Sequence, residues 1–247
     1  MKRSGSDLRL TTLAVLSLLA PSAFADTFVI YGTSGNLGSL IVAEALERGH
    51  DVVGVSRNPD SLEVDHANFS TVQGDVTDPD SIIASVQGAD TVIIAVGGVG
   101  EGNAPETAIA FLGAEAYIEA ASRLGSATPY VLQVGSGTTL LRDGVTVFDT
   151  LDIEPGTFIH GLFYGHQLAL DAYRASSGFD WVVMSAAYGA IMQEGVIMDR
   201  YRLGDQETLF DRNDSSMLHK EDYAIAVIDM AESHTVSRKR VAVGPMW

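Results

Sequence analysis

Short apolar runs alternate along the chain with longer stretches in which apolar residues recur at helical spacing. The first run, at residues 27–30, is rich in β-branched and aromatic residues, which is typical of a buried strand. The next stretch, residues 37–46, has helical periodicity and therefore predicts a helix packed on a sheet. The same reasoning predicts strands at 51–55, 69–73, 90–96, 130–134, 179–184 and 240–243, and helices at 79–86, 105–124, 162–175 and 220–232.

This alternation of strands and helices predicts an α/β fold, a Rossmann-like doubly wound parallel sheet in a single domain at residues 26–247. The run at 90–96 is apolar throughout, as a strand buried on both faces of a parallel sheet requires. Residues 138–160 form a long irregular stretch of the kind that often serves as a lid or binding loop. Residues 185–215 are expected to form a small substrate-side excursion near the C-terminus.

The composition is that of an acidic globular protein without cysteine. A hydrophobic share of 46% and a charged share of 19% suit a chain with a substantial core. The net charge of -17 disfavours nucleic acid binding, because phosphate recognition needs basic patches. The absence of cysteine excludes disulfides, thiolate catalysis and cysteine metal sites. His160, His166, Asp149 and Asp152 match no metal-ligand spacing, so no metal site is predicted.

The N-terminal residues have the three parts of a secretory signal in order. A basic segment at residues 2–9 precedes an apolar segment at residues 10–20, which is too short to span a bilayer comfortably. Residues 23–25 have the sequence Ala-Phe-Ala of a cleavage site, and Asp26 would be the first mature residue. Residues 1–25 are therefore predicted to be a signal peptide, and the protein to be periplasmic or secreted with no membrane segment after cleavage. The alternatives are an uncleaved anchor and an ordinary N-terminal helix.

Between the first predicted strand and helix lies the turn Tyr31-Gly32-Thr33-Ser34-Gly35-Asn36-Leu37-Gly38. Its G-x-x-G-x-x-G spacing differs from the G-x-G-x-x-G form but meets the same physical demands. Gly32 allows the tight turn, Gly35 lets the backbone approach a pyrophosphate, and Gly38 lets the helix pack close to the strand. The helix N-terminus offers free N–H groups to phosphates. The turn predicts a dinucleotide site, and the alternative is a tight turn without a ligand.

The ends of the next strands carry further candidate contacts. Arg57 follows the second strand, where an acidic residue suits the ribose of NAD and a basic residue suits a 2′-phosphate, so it favours NADP over NAD. The alternative is a solvated arginine beside a turn. Asp75 follows the third strand, where it would either face the adenine edge or serve a turn. The small residues at 97–100 would let the nicotinamide half lie across the sheet edge, or would form a flexible loop.

Further stretches are unspecific singly but distinctive in order and spacing: Val55-Ser56-Arg57-Asn58-Pro59, Gly74-Asp75-Val76-Thr77-Asp78, Tyr117-Ile118-Glu119-Ala120-Ala121, Ser177-Gly178-Phe179-Asp180-Trp181, His219-Lys220-Glu221-Asp222-Tyr223-Ala224 and Lys239-Arg240-Val241-Ala242-Val243-Gly244-Pro245. Together with the glycine turn they resemble atypical short-chain dehydrogenases/reductases of the NAD(P)H-binding, NmrA-like and biliverdin-reductase-B-like group. The resemblance spans nearly all of residues 27–245. It implies an oxidoreductase that transfers hydride to a small organic acceptor, and cofactor binding by Gly32, Ser34, Gly35, Asn36, Leu37, Arg57, Asp75 and Val76, with Ala95, Val96 and Gly97 near the ribose and nicotinamide.

The catalytic pair of that group is not intact in this chain. Members with a Tyr-x-x-x-Lys pair use the tyrosine as general acid and the lysine to lower its pKa. Here Tyr164 is followed four places on by Leu168. The candidate catalytic set is therefore Ser136 and Tyr164 as hydrogen-bond donors, with His166 as a proton source near neutral pH. The alternative is a serine that satisfies a turn beside a partly buried helix face.

Two other functions stay open at this point. NmrA-like proteins resemble reductases yet act by binding the dinucleotide, and the loss of the lysine favours such a sensor without catalysis. The predicted leader raises a second alternative, because NADPH is not normally supplied in the periplasm. The ligand would then be a nucleotide-like or sugar-nucleotide metabolite. The sequence specifies neither the substrate nor the oligomeric state.

Overall fold

A computed structural model of the chain describes residues 25–186 and 201–246. Most of the predicted leader, and residues 187–200 of the predicted excursion, lie outside the described residues. The α-helices and strands, in chain order, are β1 Thr27–Tyr31, α1 Gly38–Glu47, β2 Asp51–Ser56, β3 Phe69–Gln73, α2 Pro79–Ser85, β4 Thr91–Ile94, α3 Ile109–Leu124, β5 Tyr130–Gly135, β6 Leu141–Arg142, β7 Val145–Thr146, α4 Phe158–Ala175, β8 Trp181–Ala186, β9 Tyr201–Gly204, α5 Lys220–Ser233 and β10 Lys239–Pro245.

Eight strands form one sheet in the order β3-β2-β1-β4-β5-β8-β10-β9. Every neighbouring pair is parallel except β10 and β9, which are antiparallel. The predicted doubly wound, single-domain fold is therefore confirmed, and the antiparallel edge strand is an addition that the sequence pattern did not predict. The order of the strands reverses between β1 and β4, which is where such sheets place a ligand.

The core consists of two layers, one on each face of the sheet. Phe28 and Ile30 of β1 pack into one layer, with residues of α1 and α5. Val29 and Tyr31 pack into the other, with residues of α2, α3 and α4. Burial of both faces explains why the run that contains β4, in the middle of the sheet, is apolar without alternation. None of the helices in the described part of the chain combines the length and the apolar character needed to cross a membrane.

Several boundaries differ from the predicted ones, and local chemistry explains one of the largest shifts, at the start of α4. Helix α4 begins at Phe158 rather than near residue 162, because the Thr157 hydroxyl accepts a hydrogen bond from the His160 N–H at 3.3 Å and caps the helix. The first residues of the predicted helix 105–124 instead form a separate short turn at Pro105–Thr107, ahead of α3. The irregular stretch also contains the small β6–β7 hairpin.

Candidate functional site

A cleft of about 320 Å³ lies at the carboxyl ends of the strands, where their order reverses. Its volume is at the lower end of the range of about 300–1,000 Å³ that is common for ligand pockets. The lining residues come from the ends of β1 and β2, from the segments that follow β1 to β4, and from the start of α3: Tyr31, Gly32, Thr33, Ser34, Gly35, Val55, Ser56, Arg57, Gly74, Asp75, Val76, Thr77, Ala95, Val96, Gly97 and Ile109.

Most of the residues predicted to bind the cofactor line this cleft, namely Gly32, Ser34, Gly35, Arg57, Asp75, Val76, Ala95, Val96 and Gly97. Asn36 and Leu37 lie further along the turn and are outside the lining set. The Leu37 side chain packs against the core beneath α1. Two residues that the sequence reasoning missed, Ser56 and Thr77, are next to predicted ones, so their position at or after a strand end was the signal that would have found them. Ile109 was also missed, and it begins α3, far in sequence from the predicted residues.

The glycine turn is shaped by close backbone contacts. Gly32 has a φ of +85°, and a Cβ added to it would lie 2.3 Å from the Ala95 carbonyl oxygen. A Cβ on Gly38 would lie 2.0 Å from the Gly32 carbonyl oxygen, so α1 can approach β1 only with glycine at this position. At Gly35 the same addition meets only the Gly32 oxygen at 3.2 Å. The turn thus needs two of its glycines for its own geometry, and the third leaves room for a ligand.

Two backbone N–H groups of the glycine turn are available as hydrogen-bond donors. The backbone N–H groups of Asn36 and Leu37 have no hydrogen-bond acceptor among the residues that the structure describes. Leu37 precedes the first residue of α1 and has no side-chain cap. Unsatisfied N–H groups at a helix N-terminus carry partial positive charge and suit an anionic group.

Asp75 and Arg57 form the charged end of the cleft. The Asp75 Oδ1 accepts hydrogen bonds from the Thr77 N–H at 2.9 Å and from the Thr77 hydroxyl at 2.8 Å. The hydrogen bond from the Thr77 N–H has the largest effect and holds the pKa of Asp75 below its usual range. The hydrogen bond from the Thr77 hydroxyl and the charge of Arg57 lower this pKa further. Asp75 therefore shapes a turn and lines the cleft at once. Arg57 is exposed, and no carboxylate in the described ranges forms a salt bridge with it.

The three predicted catalytic residues are not joined. The Ser136 hydroxyl is hydrogen-bonded to the Thr138 hydroxyl at 2.7 Å and caps a short turn. Tyr164 is 39% exposed, and its ring centroid lies 5.6 Å from that of Phe148. Within residues 25–186 and 201–246, no hydrogen bond or ring contact links Ser136, Tyr164 and His166, and none of the three lines the cleft.

His166 lies in a different environment from Tyr164, because residues two positions apart do not share a helix face. Its Nδ1 atom is covered and has no hydrogen-bond partner in the part of the chain that the structure describes. Burial lowers the pKa of His166 to about 4. The ring is therefore neutral near pH 7, which does not fit the predicted role of a cationic proton source at that pH.

Replacement of His166 with glutamine is expected to reduce the loss in free energy of unfolding that the protein shows as the pH is lowered. In the unfolded chain the pKa of histidine is about 6.5, and in the fold that of His166 is about 4. The contribution of the neutral ring to the free energy of unfolding is complete above pH ~6.5. As the pH falls toward 4, the free energy of unfolding decreases by on the order of 2–3 kcal/mol because the unfolded chain binds a proton more readily. Urea unfolding of wild type and His166→Gln between pH 7 and pH 4.5 measures the difference. The exposed His66→Gln is the control, and parallel profiles for wild type and His166→Gln would contradict the burial argument.

The residues considered as metal ligands in the sequence, Asp149, Asp152, His160 and His166, all lie among the described residues. Among the described residues, no three His, Asp or Glu side chains are grouped so that they could hold a metal ion. Asp149 instead accepts a hydrogen bond from the Thr146 hydroxyl, and the His160 ring packs against Phe148. These two candidates are therefore occupied by local contacts.

Three kinds of comparison place the chain among known proteins. A family model described as NAD(P)H-binding matches residues 32–234. A provisionally assigned epimerase from Bacteroides thetaiotaomicron is 27% identical, with a TM-score of 0.77, over 90% of this chain and 98% of the other. A provisionally assigned exported protein from Burkholderia pseudomallei is 28% identical, with a TM-score of 0.74, over 89% of this chain and 99% of the other.

Curated relatives match over a shorter stretch. The 3-beta-hydroxysteroid dehydrogenase of Mycolicibacterium neoaurum is 38% identical over 64 residues, which is 26% of this chain. The match covers 17% of that relative's length. The similarity therefore concerns a fraction of the relative and does not extend to its whole activity.

Proposed function

Because the chain belongs to the NAD(P)H-binding family, we propose that it is an oxidoreductase that uses NADPH to reduce a small organic acceptor. The observation that carries this proposal is the composition of the cleft, which includes Arg57 after β2, the glycine turn after β1 and Gly97 after β4. Such a cleft has a cation for a phosphate at one end and small residues at the other. Both features suit an extended dinucleotide.

The diphosphate is proposed to lie on the glycine turn, held by Gly32, Ser34, Gly35, Asn36 and Leu37. Support comes from the free N–H groups of Asn36 and Leu37 and from the missing side chain at Gly35. Asn36 and Leu37 would act through their backbone, since the Leu37 side chain is packed into the core.

The adenosine half is proposed to lie against Arg57, Asp75 and Val76. Arg57 would bind the 2′-phosphate, because its guanidinium is exposed and has no salt bridge within residues 25–186 and 201–246, so it can form charge-assisted hydrogen bonds with a ligand. Asp75 keeps its Oδ1 on Thr77, so a contact with the adenine edge would use Oδ2.

The nicotinamide half is proposed to lie beside Ala95, Val96 and Gly97. A Cβ added to Gly97 would meet no atom within 4 Å, so the chain leaves open space at this end. Bound NADPH supplies a hydride there. The chain's own part would be to hold the ring and to donate a hydrogen bond to the reduced acceptor. Tyr164 is the proposed donor, because its side chain is exposed, and the acceptor would then extend beyond the cleft lining to reach it.

A second candidate function is dinucleotide binding without catalysis. Two observations favour it: the Ser136 hydroxyl is engaged with Thr138, and Leu168 stands where a lysine would lower the pKa of Tyr164. In this case the cleft would sense the cofactor rather than use it. An oxidoreductase and a sensor would both bind NADPH, but only the oxidoreductase would oxidise it.

Titration of the purified protein with NADPH and with NADH separates these functions. We expect NADPH to quench intrinsic fluorescence and to bind more tightly than NADH, and an artificial acceptor such as a quinone or dichlorophenolindophenol to oxidise it catalytically. Tyr164→Phe should then lower kcat and leave NADPH affinity unchanged. Binding without turnover for any acceptor would support the sensor. If neither dinucleotide binds, both functions are wrong.

We also propose that the protein is exported and begins at Asp26 after cleavage. The order of basic, apolar and Ala-Phe-Ala segments in residues 2–25 supports this, as does the similarity to the Burkholderia pseudomallei protein. N-terminal sequencing of the protein recovered from the periplasm or medium tests the cleavage point.

A further inference from the structure

The main chain of Asp26 is held from both sides. Its N–H donates to the His50 Nδ1 at 3.1 Å, and its carbonyl oxygen accepts from the Asp51 N–H at 3.0 Å. His50 is 4% exposed, although it lies in the short connection between α1 and β2. We propose that His50 and Glu232 form a built site for the free α-ammonium group of Asp26, which exists only after removal of the leader.

The hydrogen bonds determine which nitrogen of His50 carries the proton. The Asp26 nitrogen can only donate, so Nδ1 must accept and Nε2 must hold the hydrogen. Nε2 lies 2.8 Å from Glu232 Oε1 and donates to it. The ring is also packed on Phe28, with centroids 4.5 Å apart. The acceptor for the chain start is therefore held in place before processing.

Glu232 is itself oriented by Arg48, which caps the C-terminal end of α1. Arg48 Nη1 lies 2.9 Å from Glu232 Oε2, which leaves Oε1 for His50. Arg48 also pairs with Asp229 at 2.6 Å and with Glu44 at 2.8 Å. The Asp26–His50–Glu232–Arg48 chain of contacts thus ties the start of β1 to the ends of α1 and α5.

The charges around this site favour an ammonium over an amide. Four carboxylates, those of Asp26, Glu44, Asp229 and Glu232, surround Arg48 and a neutral His50. Hydrolysis of the Ala25–Asp26 bond consumes one water and leaves a carboxylate on Ala25 and an amine on Asp26. That amine takes up a proton at neutral pH. The new positive charge offsets the excess of negative charge while the nitrogen remains a donor to His50.

The inference rests on the proposed export of the protein, but its test does not. The chain from Asp26 onward contains every strand of the sheet, so it can be prepared directly with a free amine by cleavage of a scarless tag. The same chain is prepared with Ala25 retained, and with the amine of Asp26 acetylated. We expect the free-amine protein to have a Tm higher by roughly 2–4 °C than either of the others, because an amide N–H replaces the charged donor in those two chains and makes the weaker, neutral hydrogen bond to His50.

The variant His50→Phe keeps the ring packed on Phe28 and removes both hydrogen bonds, and His50→Leu, which also removes both, is a second variant in case the first fails to fold. In either one the Tm difference between the free-amine and Ala25-retained chains should shrink to less than about 1 °C. Glu63→Gln, an exposed carboxylate elsewhere, should leave the difference intact. Equal Tm values for the three wild-type preparations, or a difference that persists without His50, would overturn the inference. N-terminal sequencing of the exported protein separately tests the leader.

Discussion

Replacement of Arg57 with alanine is expected to weaken NADPH binding by roughly 10- to 150-fold, which corresponds to about 1.5–3 kcal/mol for hydrogen bonds to a charged group. NADH lacks the 2′-phosphate, so its dissociation constant should change by less than about threefold. The effect should be confined to binding, because Arg57 is exposed and forms no ion pair within the described residues. Fluorescence titration of both dinucleotides against wild type and variant measures the two ratios.

The control for this prediction is Arg123→Ala. Arg123 is also a surface arginine, and it pairs with Asp80 at 2.6 Å, away from the cleft. Arg123→Ala removes the same charge as Arg57→Ala from a protein with a net charge of -17. Any general electrostatic effect on an anionic ligand therefore appears in both variants. Equal losses for NADPH and NADH in Arg57→Ala would remove the assignment to NADP while leaving dinucleotide binding intact.

Replacement of Gly38 with alanine is expected to destabilise the fold itself. The new Cβ would lie 2.0 Å from the Gly32 carbonyl oxygen, and a backbone atom cannot move aside as a flexible side chain can. Either α1 shifts away from β1 or the turn distorts, at a cost of about 3 kcal/mol or more. For a chain of this size that lowers Tm by roughly 6–12 °C. Differential scanning calorimetry of the variant without any ligand measures the change.

Gly35→Ala is the matched control on the same turn. Its Cβ would meet only the Gly32 oxygen, at 3.2 Å, so the fold should keep its Tm within about 3 °C. Dinucleotide affinity should nevertheless fall by roughly tenfold or more, since the added methyl group lies where the backbone is proposed to meet the diphosphate. A Gly35→Ala protein that binds NADPH as wild type does would show that the ligand does not approach this part of the turn.

Most of the cleft could be located from the sequence because it is built from strand ends. Gly32, Arg57, Asp75 and Gly97 each follow a run whose apolar character marks it as a buried strand. Parallel strands place their carboxyl ends at one edge, so residues far apart in the chain converge there. Leu37 is different, since its half-buried side chain packs against the core although its backbone belongs to the turn.

Whether Ser136, Tyr164 and His166 can act together depends on the distances between their side chains, which no local sequence pattern specifies. Ser136 forms its hydrogen bond with a residue two positions away, and that contact decides whether its hydroxyl is free. Tyr164 and His166 are two positions apart, yet one is exposed and the other has a covered nitrogen with a lowered pKa. Only the packing around α4 distinguishes them.

The sequence by itself determined the class of fold, the glycine turn and the order of the candidate cofactor contacts. These follow from local periodicity and from the burial of both faces of a parallel sheet. The tertiary structure alone decided the antiparallel β9 edge, the local contacts of Ser136, Tyr164 and His166, and the hydrogen bonds that His50 makes with Asp26 and with Glu232. His50 and Glu232 are 182 residues apart, and their pairing depends on how α5 packs beside α1. Contacts of that range depend on the packing of whole elements, which residue patterns along one segment do not encode.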